Sequence, residues 1–293
     1  MRFKADKHSN YDDFDDEYFE LDEETIQQID EEYEDFDYYD ESAGKPKRLR
    51  KFIIWLVFLC IIVIAINIGA LFFTGKLWFN QPEKTDYPIR GALVDSDLGK
   101  INWNTFSKQN LSFAYIKATK GTAFKGKNFD EYWTDSKDCE LITGAYHIFS
   151  LTKDGEKQAK HFCEAIGDSV IGRLVPAVEV KLSGLYAIIP PEKSEVVKNL
   201  TDFCNYIKSE YGVYPIIICN ERSYEEYLSS DFNKYKFMMK SYFSEPDEDL
   251  AQDFWCYNPR VRVNGYENKK KYFTMFVYNQ TVDIDTFKKE FVC

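Results

Sequence analysis

One segment of this 293-residue chain places an acid and a base at a spacing suited to chemistry. Glu179 and Lys181 flank Val180 at the end of the apolar run 175–180, which predicts a buried strand. Because side chains alternate along a strand, both would point to the same side of it. A carboxylate can serve as a general acid or base. Next to an ammonium group, however, we expect an ion pair that is stable and chemically idle.

Four other carboxylates lie near predicted strand ends or in the C-terminal segment. Asp95 and Asp97 follow the apolar run 91–94, and Asp283 and Asp285 lie close to the C-terminus. Aspartate is common in loops. We therefore expect all four at the surface, with Asp95 and Asp283 retained as candidates for a binding cleft.

Metal and cofactor chemistry is not indicated by the cysteines and histidines. No cysteine forms a Cys-x-x-Cys pair and no histidine cluster accompanies them, so we predict neither a zinc site nor a cofactor. Disulfides would be possible in an oxidising compartment, but small buried thiols are the favoured interpretation. The seven cysteines are Cys60, Cys139, Cys163, Cys204, Cys219, Cys256 and Cys293.

Charge is distributed unevenly along the chain, whose formal net charge is −12. Residues 1–44 carry 18 acidic and 3 basic side chains, and residues 45–51 carry five basic ones, which leaves the remainder close to neutral. Such a tail repels itself and predicts a disordered segment, 1–51, with a basic end. An alternative is an acidic, aromatic tail that docks on a basic protein partner. The sequence contains no extended basic face, so we do not expect nucleic-acid binding.

The apolar run 52–73 predicts a transmembrane helix. It contains no charge and one strongly polar residue, Asn67. At about 1.5 Å per residue it spans roughly 33 Å, which matches a hydrocarbon core of about 30 Å. The run is too long and begins too late for a cleaved signal peptide. Five basic residues before it, against Lys76 after it, predict a signal anchor with a cytoplasmic N-terminus.

Beyond a linker at 74–86, residues 87–293 predict one folded domain. Short apolar runs alternate with amphipathic stretches, which favours a parallel sheet with crossovers, either an α/β barrel or a doubly wound sheet. The predicted strands are 91–94, 113–117, 142–149, 175–180 and 215–219, and the predicted helices are 105–109, 129–139, 155–166 and 191–211.

Five segments of this domain, taken in order, resemble the lysozymes of glycoside hydrolase family 25, the Chalaropsis-type muramidases. The resemblance extends from residue 87 to about 278 and implies an irregular TIM-like (β/α) barrel with its site at the carboxyl ends of the strands. The segments are GALVDSDLGKINW (91–103), FAYIKATKG (113–121), GAYHIF (144–149), VPAVEVK (175–181) and FWCY (254–257) with the segments that follow it.

The same resemblance implies that most of the catalytic carboxylates are absent. The family's acidic positions correspond here to Leu93, Glu179, Lys181 and Thr274, so only Glu179 keeps a carboxylate. Lys181 stands at the position of the family's proton donor. With an ordinary pKa near 10.4, a lysine holds its proton too tightly to act as an efficient general acid at neutral pH. In a second alignment register Asp283, rather than Thr274, takes the fourth acidic position.

Positions that would touch the sugar are also inferred from the resemblance. His147 is favoured as a hydrogen-bonded barrel residue, with cleft binding as the alternative. The remaining cleft candidates, besides Asp95 and Asp283, are Lys120, Tyr146, Trp255 and Tyr257.

Three functional hypotheses follow. The first is a lysozyme-like domain on the bacterial cytoplasmic membrane, displayed in the periplasm or outside, which is catalytically impaired and binds peptidoglycan, another wall glycan or a protein. The second is an active peptidoglycan muramidase that uses Glu179. The third is a membrane scaffold that acts through its acidic tail.

Overall fold

The computed structural model describes residues 47–75, 77–78, 80–168, 170–247, 250 and 252–293. The chain divides into two units, 1–65 and 66–293. Helix α1 (Lys47–Phe73) contains the predicted apolar span 52–73 and is long and apolar enough to cross a bilayer. Most of the predicted acidic tail, residues 1–46, lies outside the described residues.

Eight strands close into a barrel, as the resemblance implied. The strands are β1 Arg90–Val94, β2 Phe113–Lys120, β4 Ile142–Ile148, β5 Ala177–Glu179, β6 Ile216–Asn220, β7 Phe237–Lys240, β8 Phe254–Val261 and β9 Phe273–Tyr278, with β3 Phe124–Lys125 as a hairpin partner of β2. Their order around the barrel is β1, β2, β4, β5, β6, β7, β8 and β9, and β9 pairs with β1 to close it. The first seven of these strands run parallel, whereas β9 is antiparallel to both of its neighbours.

Helices lie in several of the connections between neighbouring strands. The barrel is irregular because other connections contain no described helix. No described helix separates β7 from β8 or β8 from β9. The helices are α2 Trp103–Ser107, α3 Phe129–Asp135, α4 Gly155–Ile166, α5 Lys193–Tyr211, α6 Glu221–Ser223, which continues as a π-helical turn Tyr224–Leu228, and α7 Ile284–Phe291. Helix α2 begins two residues before its predicted start, because Asn102 caps it by accepting a hydrogen bond from the backbone N–H of Thr105 at 2.9 Å.

Side-chain alternation on the strands produces two cores. Residues that point inward fill the barrel, and their strand neighbours pack beneath the helices. On β8, for example, Phe254 and Cys256 point into the barrel, whereas Trp255 and Tyr257 face the outer layer. All seven cysteines are free thiols, and Cys163, Cys204, Cys219 and Cys256 are buried.

Helix α7 closes the end of the barrel where the parallel strands begin. Phe287 and Phe291 join the inner core, where Phe287 lies 4.9 Å from the ring of Phe113 and Phe291 lies 5.0 Å from that of Phe254. The opposite end, at the carboxyl ends of the parallel strands, contains a cavity that is open to solvent.

Contacts between the predicted linker and the barrel begin well before Tyr87. A side chain on Gly75 would collide with the carbonyl oxygen of Arg260, and φ at Gly75 is +69°. The indole N–H of Trp78 donates to the carbonyl oxygen of Tyr257 at 2.8 Å, and the Trp78 side chain is buried. The chain is therefore held at the open end of the barrel only a few residues after α1 ends.

Candidate functional site

A cleft of about 200 Å³ lies at the open end of the barrel. Its walls come from the carboxyl ends of the parallel strands and from the start of β9, which is where barrel folds place their sites. We call this cavity the cleft. It is lined by Leu93, Asp95, Lys117, Tyr146, Ile148, Glu179, Lys181, Lys240, Tyr272 and Thr274.

Glu179, the last residue of β5, lies at the centre of a group of three charges. Its side chain is 5 % exposed. The Nζ atom of Lys240, at the end of β7, donates to Glu179 Oε1 at 2.7 Å. Lys181 Nζ lies 3.5 Å from the same oxygen. The predicted pair of Glu179 and Lys181 is thus present, but Lys240 makes the shorter contact.

The two lysines determine the protonation state of Glu179. Burial by itself raises the pKa of this carboxyl, but the positive charges of Lys240 and Lys181 outweigh that effect and lower the pKa below its ordinary value. For Lys240, burial favours the neutral amine, yet the charge of Glu179 overcomes it and raises the lysine pKa. At neutral pH Glu179 is therefore a carboxylate, and its closest partner Lys240 is an ammonium ion.

A second ion pair lies on the opposite side of the cleft. Asp95, just after β1, is 3.2 Å from Lys117 Nζ on β2, and its side chain is 40 % exposed. Its Oδ1 atom also accepts the backbone N–H of Ser96 at 2.6 Å. Asp95 was expected at the surface and was also a candidate for the cleft; it lines the cleft. Both carboxylates of the cleft are paired with lysine.

Two uncharged residues occupy positions at which the resemblance implies acidic residues in the family 25 lysozymes. Leu93 and Thr274 are direct partners across the β1–β9 pairing, and both line the cleft. Tyr146 lines it as well, and burial, followed by the charge of Glu179, raises its pKa well above the ordinary value. Leu93 therefore adds an apolar side chain to the wall of the cleft, and Thr274 and Tyr146 add side chains with hydroxyl groups.

Asp283 lies away from the cleft, which corrects the second alignment register. Its carboxylate caps α7 and accepts the backbone N–H of Thr286 at 2.7 Å. Helix α7 plugs the closed end of the barrel, so Asp283 and Thr274 lie on opposite sides of the core. The register with Thr274 is the one that contributes to the cleft.

His147 is also outside the cleft, because its neighbours Tyr146 and Ile148 take the inward positions of β4. The ring is buried against α4 and α5, with Nδ1 2.7 Å from Thr119 Oγ1 and Nε2 3.2 Å from Gln158 Oε1. Burial lowers its pKa to about 3. His147 is the hydrogen-bonded barrel histidine that was favoured from the sequence.

Three further cleft candidates are corrected by strand geometry. Trp255 and Tyr257 belong to the outer core, and Trp255 donates its indole N–H to the Ser241 carbonyl oxygen at 2.7 Å. Lys120 is exposed on the hairpin with β3, beyond an irregularity in β2 that shifts the strand register between Lys117 and Thr119.

Lys240 is the residue that the sequence reasoning missed. It ends β7, a strand that was not among those predicted, and its partner Glu179 is distant in sequence. The sequence contains one indication of its role. Met238 and Lys240 are two residues apart in the run 237–240, so on a strand both side chains point to the same face, and Met238 faces the inside of the barrel. An inward lysine at the carboxyl end of a barrel strand reaches the cleft.

A wider, open groove of about 560 Å³ shares no residue with the cleft. Its lining includes Asp135, Asp138 and Glu267, and none of its residues belongs to a strand of the barrel. Within the described part of the chain, no three His, Cys, Asp or Glu side chains converge to hold a metal ion. The groove and the cleft are therefore separate cavities, and only the cleft contains residues of the barrel strands.

Comparison with solved structures places the fold among family 25 enzymes. The structure of a family 25 glycosyl hydrolase from Bacillus anthracis is 28 % identical and superposes with a TM-score of 0.65, covering 72 % of this chain and 96 % of that one. A family GH25 lysozyme from Aspergillus fumigatus shares the fold at 19 % identity, with a TM-score of 0.59 and coverage of 69 % and 97 %.

Sequence comparison gives the same result. Uncharacterized protein YegX of Escherichia coli K12 is 28 % identical over 204 residues, which cover 67 % of this chain and 72 % of YegX. Lysozyme M1 of Streptomyces globisporus is 36 % identical over 92 residues, 31 % of each chain. The family model for glycosyl hydrolases family 25 matches residues 94–266, more than half of the chain. The chain belongs to glycosyl hydrolases family 25.

Proposed function

We propose that this protein is a membrane-anchored, lysozyme-like domain that binds the glycan of peptidoglycan in its cleft and does not hydrolyse it efficiently. The observation that carries this proposal is the contact of 2.7 Å between Lys240 and Glu179, with Lys181 at 3.5 Å from the same oxygen. Family membership directs the cleft toward peptidoglycan, and the charge pattern argues against cleavage.

Glycoside hydrolysis generally needs a carboxylic acid that protonates the leaving oxygen and a carboxylate that attacks or stabilises the sugar. Glu179 cannot serve as the acid at neutral pH, because two lysines lower its pKa. At the position that the resemblance assigns to the proton donor, Lys181 provides an amine in place of a carboxylic acid. Leu93 and Thr274 supply no second carboxylate.

Binding is favoured by the same groups. Lys117, Lys181 and Lys240 present ammonium donors to the cleft, while Asp95 and Glu179 provide the acceptors. Three cations against two anions suit a ligand that carries hydroxyl groups together with a carboxylate, such as a glycan with acidic substituents or a peptide terminus. Tyr146 and Tyr272 add aromatic surface for a sugar ring.

The test uses the full chain in detergent micelles with insoluble peptidoglycan. We expect retention on the pellet and no new reducing ends. Lys181→Met, which removes a cation from the cleft without placing a carboxyl group at the donor position, should lower retention about tenfold, since one charge-assisted contact contributes about 1.5 kcal/mol. Lys193→Met, at an exposed lysine, should bind as the wild type does. Retention that is unaffected by Lys181→Met would contradict binding in the cleft.

The second candidate is an active muramidase, and the shared position of Asp95 and Glu179 in one cleft favours it. Release of reducing ends by the wild type, abolished by Glu179→Gln, would establish hydrolysis and overturn the proposal of an inactive cleft. The third candidate, a scaffold that acts through the acidic tail, predicts that the chain is not retained on peptidoglycan at all.

For the location we propose a single-pass protein of the bacterial cytoplasmic membrane, with residues 1–51 in the cytoplasm and the barrel on the other side. The apolar run within α1 and the five basic residues at 45–51 support this arrangement. Membrane fractions extracted with alkaline carbonate should retain the chain, and its appearance in the soluble fraction would contradict an integral anchor.

A further inference from the structure

A basic hairpin joins the last two strands of the barrel. Residues 260–272 comprise the last two residues of β8 and the connection to β9, and they contain five basic side chains and one acidic side chain, Glu267. We call this segment the basic hairpin. Its cations are Arg260, which is half-buried, and Arg262, Lys269, Lys270 and Lys271, which are exposed.

Acidic partners neutralise only part of this charge. Lys271 pairs with Asp97 at 2.6 Å. Arg262 instead lies over the ring of Tyr272, 4.8 Å from its centre, and Lys269 lies over Tyr266 at 3.9 Å. Aromatic rings orient these cations without cancelling their charge. The hairpin therefore keeps a positive surface in a domain whose net charge as a whole is close to neutral.

The hairpin also touches the chain directly after the apolar helix. Within the unit 66–293, the hydroxyl of Tyr272 donates to the carbonyl oxygen of Phe73 at 3.1 Å. Gly75 packs so closely on the Arg260 carbonyl that no side chain would fit there. Phe73 ends the apolar run, and two residues span at most about 7 Å. That distance equals the depth of a headgroup layer and is within one Debye length at physiological salt.

We propose that the basic hairpin docks on the anionic phospholipid headgroups of the membrane that α1 spans. This inference rests on the proposed membrane anchor. Basic residues held beside the end of a transmembrane helix attract acidic lipids electrostatically. Tyr272 belongs both to the hairpin and to the lining of the cleft, so docking places one wall of the cleft beside the lipid surface.

The test measures how accessible the hairpin lysines are in reconstituted full-length protein. Vesicles contain either phosphatidylcholine alone or phosphatidylcholine with phosphatidylglycerol, and a membrane-impermeant amine reagent labels exposed lysines for mass spectrometry. We expect labelling of Lys269 and Lys270 to fall about threefold in the anionic vesicles, and the difference to disappear at 1 M salt. Lys137 and Lys208, both exposed, serve as internal controls whose labelling should not change.

A pair of variants separates docking from general charge. Lys269→Glu with Lys270→Glu should abolish the effect of lipid composition on the remaining label at Lys271, whereas Lys137→Glu with Lys208→Glu should preserve it. Equal labelling in both kinds of vesicle would overturn the inference while leaving the anchor intact. Protection that is independent of lipid and lost on deletion of 1–44 would instead identify the acidic tail as the occupant, and release by alkaline carbonate would refute the anchor and this inference together.

Discussion

At the scale of the residue, the cleft is governed by two lysines around one buried carboxylate. The side chain of Lys240 is 16 % exposed, and its ammonium lies 2.7 Å from Glu179 Oε1. Each ion would be costly to bury alone, and the pair is stable because the partners are close. The arrangement holds the charge of Glu179 in a fixed position in the cleft.

Lys240→Met should expose the dependence of Glu179 on its partner. It leaves a carboxylate that is 5 % exposed with only the more distant Lys181, so we expect a loss of about 3 kcal/mol in the free energy of unfolding. Urea unfolding in micelles at pH 7, followed by tryptophan fluorescence, measures it. Adding Glu179→Gln should recover most of the loss. Lys181→Met, at a lysine that is 42 % exposed, should cost less than about 1 kcal/mol. An equal cost at both lysines would contradict the dominance of Lys240.

His147 should make the fold sensitive to mild acid. Burial lowers its folded pKa to about 3, against about 6.5 in an unfolded chain. Between these values the unfolded chain binds the proton and the folded one does not, so stability falls as the pH drops below 6.5. At pH 5 this effect amounts to about 2 kcal/mol relative to pH 7.

The measurement compares unfolding at pH 7 and pH 5 in wild type and His147→Gln. The variant is expected to be weaker at pH 7, because two hydrogen bonds are altered, but its loss between the two pH values should be about 2 kcal/mol smaller. His161→Gln, at a half-buried histidine, is the matched control. A pH dependence unchanged in His147→Gln would show that carboxylates alone account for the acid sensitivity.

At the scale of the element, the barrel depends on close contacts that only glycine permits. Gly155 begins α4, and a β-carbon there would lie 1.6 Å from the backbone carbonyl oxygen of Asn199 in α5. The two helices pack against each other and cover His147 on β4 through Phe162 and Phe203. The sequence around Gly155 predicts a helix start but contains no sign of this contact.

Gly155→Ala should force α4 and α5 apart. The obstacle is backbone, which cannot rotate away as a side chain can, so we expect a loss of about 2–3 kcal/mol in the free energy of unfolding. Gly212→Asn is the matched control, because Gly212 has φ +75° with open space around it and asparagine tolerates that conformation. Its cost should stay below about 1 kcal/mol. A neutral Gly155→Ala would mean that the helices separate without cost.

At the scale of the whole molecule, charge and hydropathy divide the chain into segments with different tasks. Residues 1–44 are strongly acidic, 45–51 are basic, and 52–73 are apolar, ahead of a nearly neutral domain. In the proposed topology the acidic tail and the cleft lie on opposite sides of the membrane. The tail therefore cannot neutralise the lysines of the cleft, and the two ends of the chain act separately.

Deletion of 1–44 tests this separation. We expect the shortened chain to be retained on peptidoglycan to within a factor of two of the full chain, because the tail would be on the other side of the membrane. A chain in which the acidic residues of 1–44 are replaced by their amides keeps the length and serves as the control. A retention changed about tenfold by the deletion would place the tail in contact with the cleft and contradict the topology.

Local patterns in the sequence were sufficient for the fold family, the apolar helix and the identity of most strands. Apolar periodicity and ordered motifs depend on residues that are close together in the sequence, so both can be recognised without the structure. The correspondence of Lys181 to the family's proton donor comes from the same local motifs and stays a prediction. The structure bears out the barrel, and with it the inward position of Glu179.

Only the tertiary structure decided which residues meet. Closure of the sheet brought Lys240 on β7 to Glu179 on β5, and it joined Thr274 to Leu93 through the antiparallel β9. It also sent Asp283 to the opposite end with α7. The physical reason is that a side chain's direction depends on strand register, and its partner depends on how the barrel closes. Neither is encoded in the spacing of residues along a single segment.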